Sequence, residues 1–325
     1  MQGQSAESPG RPEHSKQPEH FGRAEQVGDT EQVGRAEPFQ RTGPWQRVEP
    51  FQRGTVSFVR RDDRLRPRLQ RTWDAHHEEW VLDVPRVQAT MSVAPGYLLD
   101  PVRDFGRVAP LVVEIGSGTG DAVVHAAAAR PGTNFLAVEV YRPGLASTVA
   151  KIVRHELTNV RLVQADAVQV LKHMLEPGSA AEIWVFFADP WHKNRHHKRR
   201  LVNPAFAELA ASRLVPGGTL RLATDWADYA TQMRDVLAAC GSLTNPWRGP
   251  TTPSQARGCL PAGRSAQDDH ADVVDEESLE TGFAPRFQGR VMTRFEQKAL
   301  ESGRTIYDLE LCRHFPPVGS ANGVG

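Results

Sequence analysis

From Leu111 onward, short apolar runs alternate with stretches in which apolar positions recur at helical spacing, and small turns separate the two. A brief continuous apolar run fits a buried strand, and the longer periodic stretch fits a helix packed on it. The pattern predicts strands over Leu111–Ile115, Phe135–Val140, Val160–Gln164, Ile183–Phe187 and Thr219–Ala223. Helices over Asp121–Arg130, Pro143–Leu157, Ala167–Leu175, Pro204–Leu214 and Trp226–Cys240 fill the intervals. Parallel neighbours need a crossover, and strands apolar on both sides need covering on both. The expected fold is therefore α/β, a parallel, doubly wound Rossmann-like sheet with helices on both faces.

The flanks read differently. Residues 1–55 are rich in Gln, Glu, Arg, Gly and Pro and repeat themselves: EQVG at Glu25 and Glu31, GRAE at Gly22 and Gly34, EPFQR at Glu37 and Glu49. Such a segment buries too little apolar surface to offset its ordering entropy, so a disordered tail is expected there. The domain is expected over residues 56–315, with a flexible insertion over about 245–285 that carries the acidic run Asp268 to Glu280, and a disordered end at 316–325. Between tail and sheet, Ser57 to Trp80 is basic and partly helical. Its Arg60, Arg61, Arg64, Arg66, Arg68 and Arg71 fit phosphate contacts and a solvated helix face equally well.

Charge changes the picture only locally. Lys plus Arg number 39 and Asp plus Glu 39, so no global field draws in a polyanion. Yet seven of the eight residues from Lys193 to Arg200 are Lys, Arg or His, and they directly follow the strand end FFADPW. A carboxylate at a strand end beside a phosphate-binding surface points to an enzyme of nucleic acid. The three cysteines, Cys240, Cys259 and Cys312, show no paired spacing, so neither a disulfide framework nor a metal site is expected. No run approaches a membrane-spanning length and the amino terminus lacks an apolar signal core; the expected setting is cytoplasmic.

The first predicted strand runs into a glycine turn, VVEIGSGTGD, with Gly116, Gly118 and Gly120. Glycine allows close backbone approach to a ligand, and a glycine turn between strand and helix favours a nucleoside cofactor. Asp121 stands where dinucleotide binders have a third glycine, an awkward neighbour for a pyrophosphate. Glu114 before the turn suits a cationic group such as the amino group of S-adenosylmethionine. Glu139 at the second strand end suits ribose hydroxyls, and Asp166 at the third suits an adenine amino group. Read singly, Asp121 and Asp166 are also ordinary helix-start residues.

With these residues in view, the chain resembles the bacterial tRNA (guanine-N7-)-methyltransferases over roughly Ser57 to Leu311. The carrying segments are EIGSGTG from Glu114, VEVYRPG from Val138, DPWHKNRHHKRR from Asp189, TDWADYA from Thr224, and TRFE from Thr293 with YDL at Tyr307. The resemblance implies a class I methyltransferase fold, S-adenosylmethionine as donor, and a guanine of the tRNA variable loop as acceptor. It implies cofactor contacts at Glu114, Glu139, Asp166 and Asp189, with Asp189 also the catalytic residue. Substrate contacts are implied at Lys193, Asp225, Thr293, Arg294, Phe295 and Glu296, and an RNA-binding segment at Arg195, His196, His197, Lys198, Arg199 and Arg200. Ala188 stands where a proline commonly precedes the acid, Ser117 where a larger residue often sits, and Val291 where proline is usual; none removes a functional group.

The chemistry follows from the acceptor atom. Guanine N7 carries a free lone pair, so it needs neither metal nor strong base, and positioning dominates. Positive charge passes to the guanine ring, where Asp189 and Asp225 are placed to stabilise it, with Trp191 or Trp226 available to stack on a flipped base; filling the core is an equal alternative for Trp226 and a weaker one for Trp191, which polar groups flank. A cation beside that ring hinders the reaction, so Lys193 is expected on phosphate or guanine O6. An amino-methyltransferase acting on RNA or DNA normally has a second proline at the Trp191 position. A nicotinamide-dependent dehydrogenase needs a different glycine spacing, and a non-catalytic RNA-binding subunit can lose the acids that this chain keeps. Monomer and homodimer remain equally open.

Overall fold

Strand β1 (Leu111–Ile115) is buried along its whole length, as is β2 (Asn134–Glu139) beside it. With β3 (Val160–Gln164), β4 (Ala180–Phe186), β5 (Leu214–Thr224), β6 (Leu243–Thr244) and β7 (Tyr307–Arg313) they form one sheet of order β3-β2-β1-β4-β5-β7-β6. The first five strands are parallel neighbours, while β7 runs antiparallel to both β5 and β6. The computed structural model describes residues 64–87, 91–248 and 281–315, all within one compact unit, Arg53–Gly325. The repeat-bearing tail, most of the expected insertion (249–280), the end at 316–325, Arg60 and Arg61 lie outside the described residues.

Helices cover both faces. On one side α1 (Pro67–Trp80), α3 (Asp121–Ala129) and α4 (Arg142–Arg154) pack Trp73, Trp80, Val123, Leu145 and Ile152 against Val112, Phe135 and Trp184. On the other, α5 (Ala167–His173), α6 (Pro204–Arg213) and α7 (Ala227–Ala238), with the short α2 (Pro101–Phe105), pack Leu171, Phe206, Tyr229 and Met233 against Val113, Leu136 and Leu222. Local chemistry sets the helix starts: Asp166 caps α5 by accepting from Val168 and Gln169, and Asn203 caps α6 by accepting from Phe206.

The five expected strands are parallel, and two strands the pattern did not predict, β6 and β7, extend the sheet with antiparallel pairing. In Tyr307–Arg313 the acids Asp308 and Glu310 alternate with buried Leu309 and Leu311, so the segment lacks the continuous apolar run of a central parallel strand. Its acids are matched across the sheet instead. Arg221 of β5 pairs in register with Glu310 and bonds its carboxylate. Arg290 reaches Asp308 at 2.5 Å and 3.1 Å. Helix α8 (Arg294–Glu301) precedes β7 and is capped by Thr293, which accepts from the Glu296 amide.

Candidate active site

Strand order reverses at β1, which has β2 on one side and β4 on the other, so the carboxyl ends of these strands border the crevice where open α/β sheets hold their ligands. The glycine turn lies there. Gly116, Gly118 and Gly120 have φ of +70°, +56° and +76°, a region open to glycine at no steric cost. Gly116 and Ser117 donate to Val138 O, which anchors the turn to β2. A Cβ on Gly144 in the first turn of α4 would sit 2.2 Å from Gly118 O, so α4 closes directly on the glycine turn. Gly144 was quoted within the resemblance but given no role; a glycine inside a helix is the sequence signal for such a close approach.

Glu114 on β1 and Glu139 at the end of β2 border this turn. The Glu139 carboxylate accepts from Gly118 (2.7 Å), Val140 (2.8 Å) and Tyr141 (2.9 Å), so it orders the loop as well as facing the crevice. Glu114 is 4% exposed and its Oε2 has no hydrogen-bond partner. Burial pushes its carboxyl up to about 8, against the Val123 amide, and repulsion from Glu139 and Asp121 adds to the rise. An unpaired buried carboxylate beside a glycine turn fits a cationic ligand group, as S-adenosylmethionine presents in its amino acid portion. Asp121 opens α3 and bonds Thr119 (2.6 Å) and Lys151 (2.5 Å); burial raises its carboxyl, and these partners more than offset that and hold it below the usual range. Arg294 also lowers it through space, which brings the amino end of α8 near the same crevice. Asp166 uses Oδ1 to cap α5 at 3.0 Å and 3.2 Å, and burial raises its carboxyl despite those bonds.

Across β1, at the end of β4, Asp189 is exposed and lies in a strained turn. Phe187 and Trp191 on either side have φ of +55° and +47°, conformations uncommon for aromatic residues. Trp191 stands edge-on to His196 (5.9 Å), lies under Arg199 (4.9 Å), and keeps its buried Nε1 unpaired. Trp226 is half-buried on the core and touches His192 at 4.1 Å. Lys193 precedes a 3-10 helix over Asn194–Arg199, on which Arg195 and Lys198 are exposed while His196, His197 and Arg199 are half-buried. Slight burial, then the surrounding Arg195, Arg199, Lys193 and Lys198, lowers the pKa of His196.

Arg200, Glu296, Thr293 and Asp225, all expected contacts, have partners within the chain. Arg200 turns inward, 2% exposed, and donates to Pro190 O (2.8 Å), Gln232 (2.5 Å) and Asp228 (2.6 Å). The separate fate of this one cation within the run was not visible in the sequence. Glu296 is fully buried and accepts from Arg286 (2.8 Å) and Arg290 (2.9 Å), whereas Thr293 caps α8 and Phe295 is 71% exposed. Asp225 is paired with Arg304 at 2.6 Å. Helix α1 carries exposed Arg66 and Arg68 at its amino end and runs to β3 at its carboxyl end, where Val81 bridges Leu162, while Arg142 at the start of α4 stacks on Trp73 at 5.1 Å. A cavity of about 180 Å³ lies at the amino ends of β1 and β2, lined by Phe105, Leu111, Asn134 and Met174, and no residue of the crevice borders it. Among the described residues no cluster of His, Cys, Asp and Glu is arranged to hold a metal ion, and no helix is long and apolar enough to cross a membrane.

Strand order and an acid-lined glycine turn place the chain among the Rossmann-like methyltransferases. A family model described as "Putative methyltransferase" matches residues 108–252. The chain is 51% identical over 270 residues to the tRNA (guanine-N(7)-)-methyltransferase of Arthrobacter sp., covering 78% of this chain and 85% of that protein. It is 51% identical over 273 residues to the protein of that name from Paenarthrobacter aurescens (78% of this chain, 90% of that one). The Cutibacterium acnes protein of the same name is 44% identical over 257 residues (79% and 82%). The chain belongs to the tRNA (guanine-N(7)-)-methyltransferase family.

Proposed function

We propose that this protein transfers a methyl group from S-adenosylmethionine to N7 of a guanosine in the variable loop of tRNA, in the cytoplasm. The observation that carries the reading is the position of Asp189: at the end of β4, across β1 from the Glu114–Glu139 pocket and directly before the cationic 3-10 helix. S-adenosylmethionine supplies an electrophilic methyl group on a sulfonium sulfur. Glu114 would hold the donor's ammonium group on its unpaired Oε2, Glu139 would meet the ribose hydroxyls while it orders Gly118, and Asp166 would offer Oδ2 to the adenine amino group. Gly116, Gly118 and Gly120 let the backbone come close to the bound nucleoside.

Bound S-adenosylmethionine would supply the methyl group to the N7 lone pair, an N7–C bond forming as the S–C bond breaks and leaves its electron pair on sulfur. No proton moves in this step. The site's work is alignment and stabilisation of the positive charge that appears on guanine. Asp189 is the catalytic residue in this reading, because its exposed carboxylate faces the developing charge without a competing partner among the described residues. Asp225 receives the guanine edge once Arg304 is displaced, and Thr293, Arg294 and Phe295 border the acceptor from α8. Lys193, Arg195, His196, His197, Lys198 and Arg199 hold RNA phosphates. The domain spans about 56–315, with the tail before it outside the catalytic unit.

The test is transfer of labelled methyl groups to unmodified bulk tRNA, with product nucleosides resolved. Label in 7-methylguanosine, abolished by Asp189→Ala, supports the reading. Label in another nucleoside, or none, sinks it.

A further inference from the structure

Asp189 makes no hydrogen bond or ion pair among the described residues, so the backbone alone sets where its carboxylate points. That backbone is strained at both ends of the turn, at Phe187 and Trp191, and left-handed aromatic residues persist only where their surroundings over-determine them. The upstream end is held by the Phe187 amide, which donates to Ala223 O at 2.8 Å, and by buried Arg290 over the rings of Phe186 (5.3 Å) and Phe187 (5.4 Å). The downstream end is held by Arg200. Its Nε donates to Pro190 O at 2.8 Å, and its other nitrogens reach Gln232, His197 and Asp228, while its face covers Tyr229 at 4.9 Å.

We infer that Arg200 is a positioning residue, set apart from the RNA-facing cations beside it: it ties the Phe187–Trp191 turn to α7 and thereby aims Asp189. This rests on the functional reading of Asp189 above. The side chain is 1% exposed, so it offers no surface to a phosphate, and swinging outward would strand Pro190 O and Gln232 together. Without it the downstream half of the turn is free to relax to an ordinary φ, and the carboxylate moves with it.

Steady-state methyl transfer by the full-length chain distinguishes the two roles, with wild type, Arg200→Gln, Arg200→Met, Arg200→Lys and, as an exposed cation for comparison, Arg195→Ala. A misplaced catalytic group is expected to lower kcat by roughly 10- to 100-fold in Arg200→Gln, with partial recovery in Arg200→Lys. KM for tRNA and its salt dependence should stay within about twofold, whereas Arg195→Ala raises KM and flattens the salt slope. Arg200→Met fills the space over Tyr229, so it carries the same kcat test if the glutamine variant does not fold. Wild-type kcat with a raised KM and a shallower salt slope would make Arg200 a phosphate contact and overturn the inference, as would full activity in both variants. If wild type labels no tRNA, the functional reading fails first and this inference with it.

Discussion

The sharpest quantitative consequence concerns Glu114 and pH. Burial lifts its carboxyl from an ordinary 4.5 to about 8, so near neutral pH the folded protein without ligand holds it mostly protonated. The sign follows from the rise. What this group contributes to folding is fully present below about 4.5 and is lost as pH climbs through about 8, a swing of about 5 kcal/mol. A cationic ligand group requires the ionised form, so binding on the acid side must expel the proton. Affinity for S-adenosylmethionine should therefore weaken about tenfold per pH unit below about pH 7.5. It should also weaken above pH 8, where an α-amino group of pKa about 7.7–8.0 loses its own proton. The optimum lies near pH 8. Titration calorimetry near pH 6.5 in two buffers of different ionisation enthalpy should report about one proton released per ligand bound, and Glu114→Gln should remove that release. A flat affinity between about pH 6 and 7.5 with no proton released would refute the pairing of Glu114 with the ammonium group.

Four further outcomes follow, two from the packing and two from the surface charge. Gly144→Ala forces a Cβ onto Gly118 O at 2.2 Å, so urea denaturation should show a loss of about 1–3 kcal/mol and calorimetry a weaker cofactor affinity. Arg290→Ala strands the buried acids Glu296 and Asp308 and should cost about 3–5 kcal/mol, near the lower end because Arg286 still reaches Glu296; a loss under about 1 kcal/mol contradicts the ion network. Alanine at Arg195 or Lys198 should each lower the slope of log affinity against log salt by about one, measured by tRNA binding at several salt concentrations. Because burial and then the neighbouring cations lower the pKa of His196, its own contribution to tRNA binding should be absent between pH 8 and 7 and appear only on further acidification, as binding measured against pH for wild type and His196→Ala will show.

The parallel half of the sheet was legible because its strands are largely buried and so read as mainly apolar runs, with an acid at or near each carboxyl end. The predicted ends of β1 and β3 coincide with those observed, and β2 differs by one residue at each end. The early start of β4 at Ala180 was hidden by Glu182, a buried acid that is tolerable only because Arg130 (2.6 Å) and Arg221 (3.6 Å) flank it. The same difficulty concealed β7: Asp308 and Glu310 look like surface residues until Arg290 and Arg221 are brought to them from distant parts of the chain. Within HHKRR no local property separates Arg200 from Arg199. What separates them is the trio Asp228, Tyr229 and Gln232 on α7, and only the fold brings that helix against the run. Nor does the sequence reveal the left-handed Phe187, since aromatic residues rarely adopt that conformation and carry no signal for it. Expectations for the repeat-bearing tail and for 249–280 lie outside the described residues.

The central claim is that N7 of guanine is the acceptor, and a tRNA transcript made with 7-deazaguanosine tests it most directly. That substitution removes the N7 lone pair while leaving the Watson–Crick edge and the phosphates in place. Such a transcript should bind with near-normal affinity, compete with ordinary tRNA, and accept no methyl group. Methyl transfer to the 7-deaza transcript at a rate comparable to the unmodified one would show that another atom is the acceptor and contradict the account.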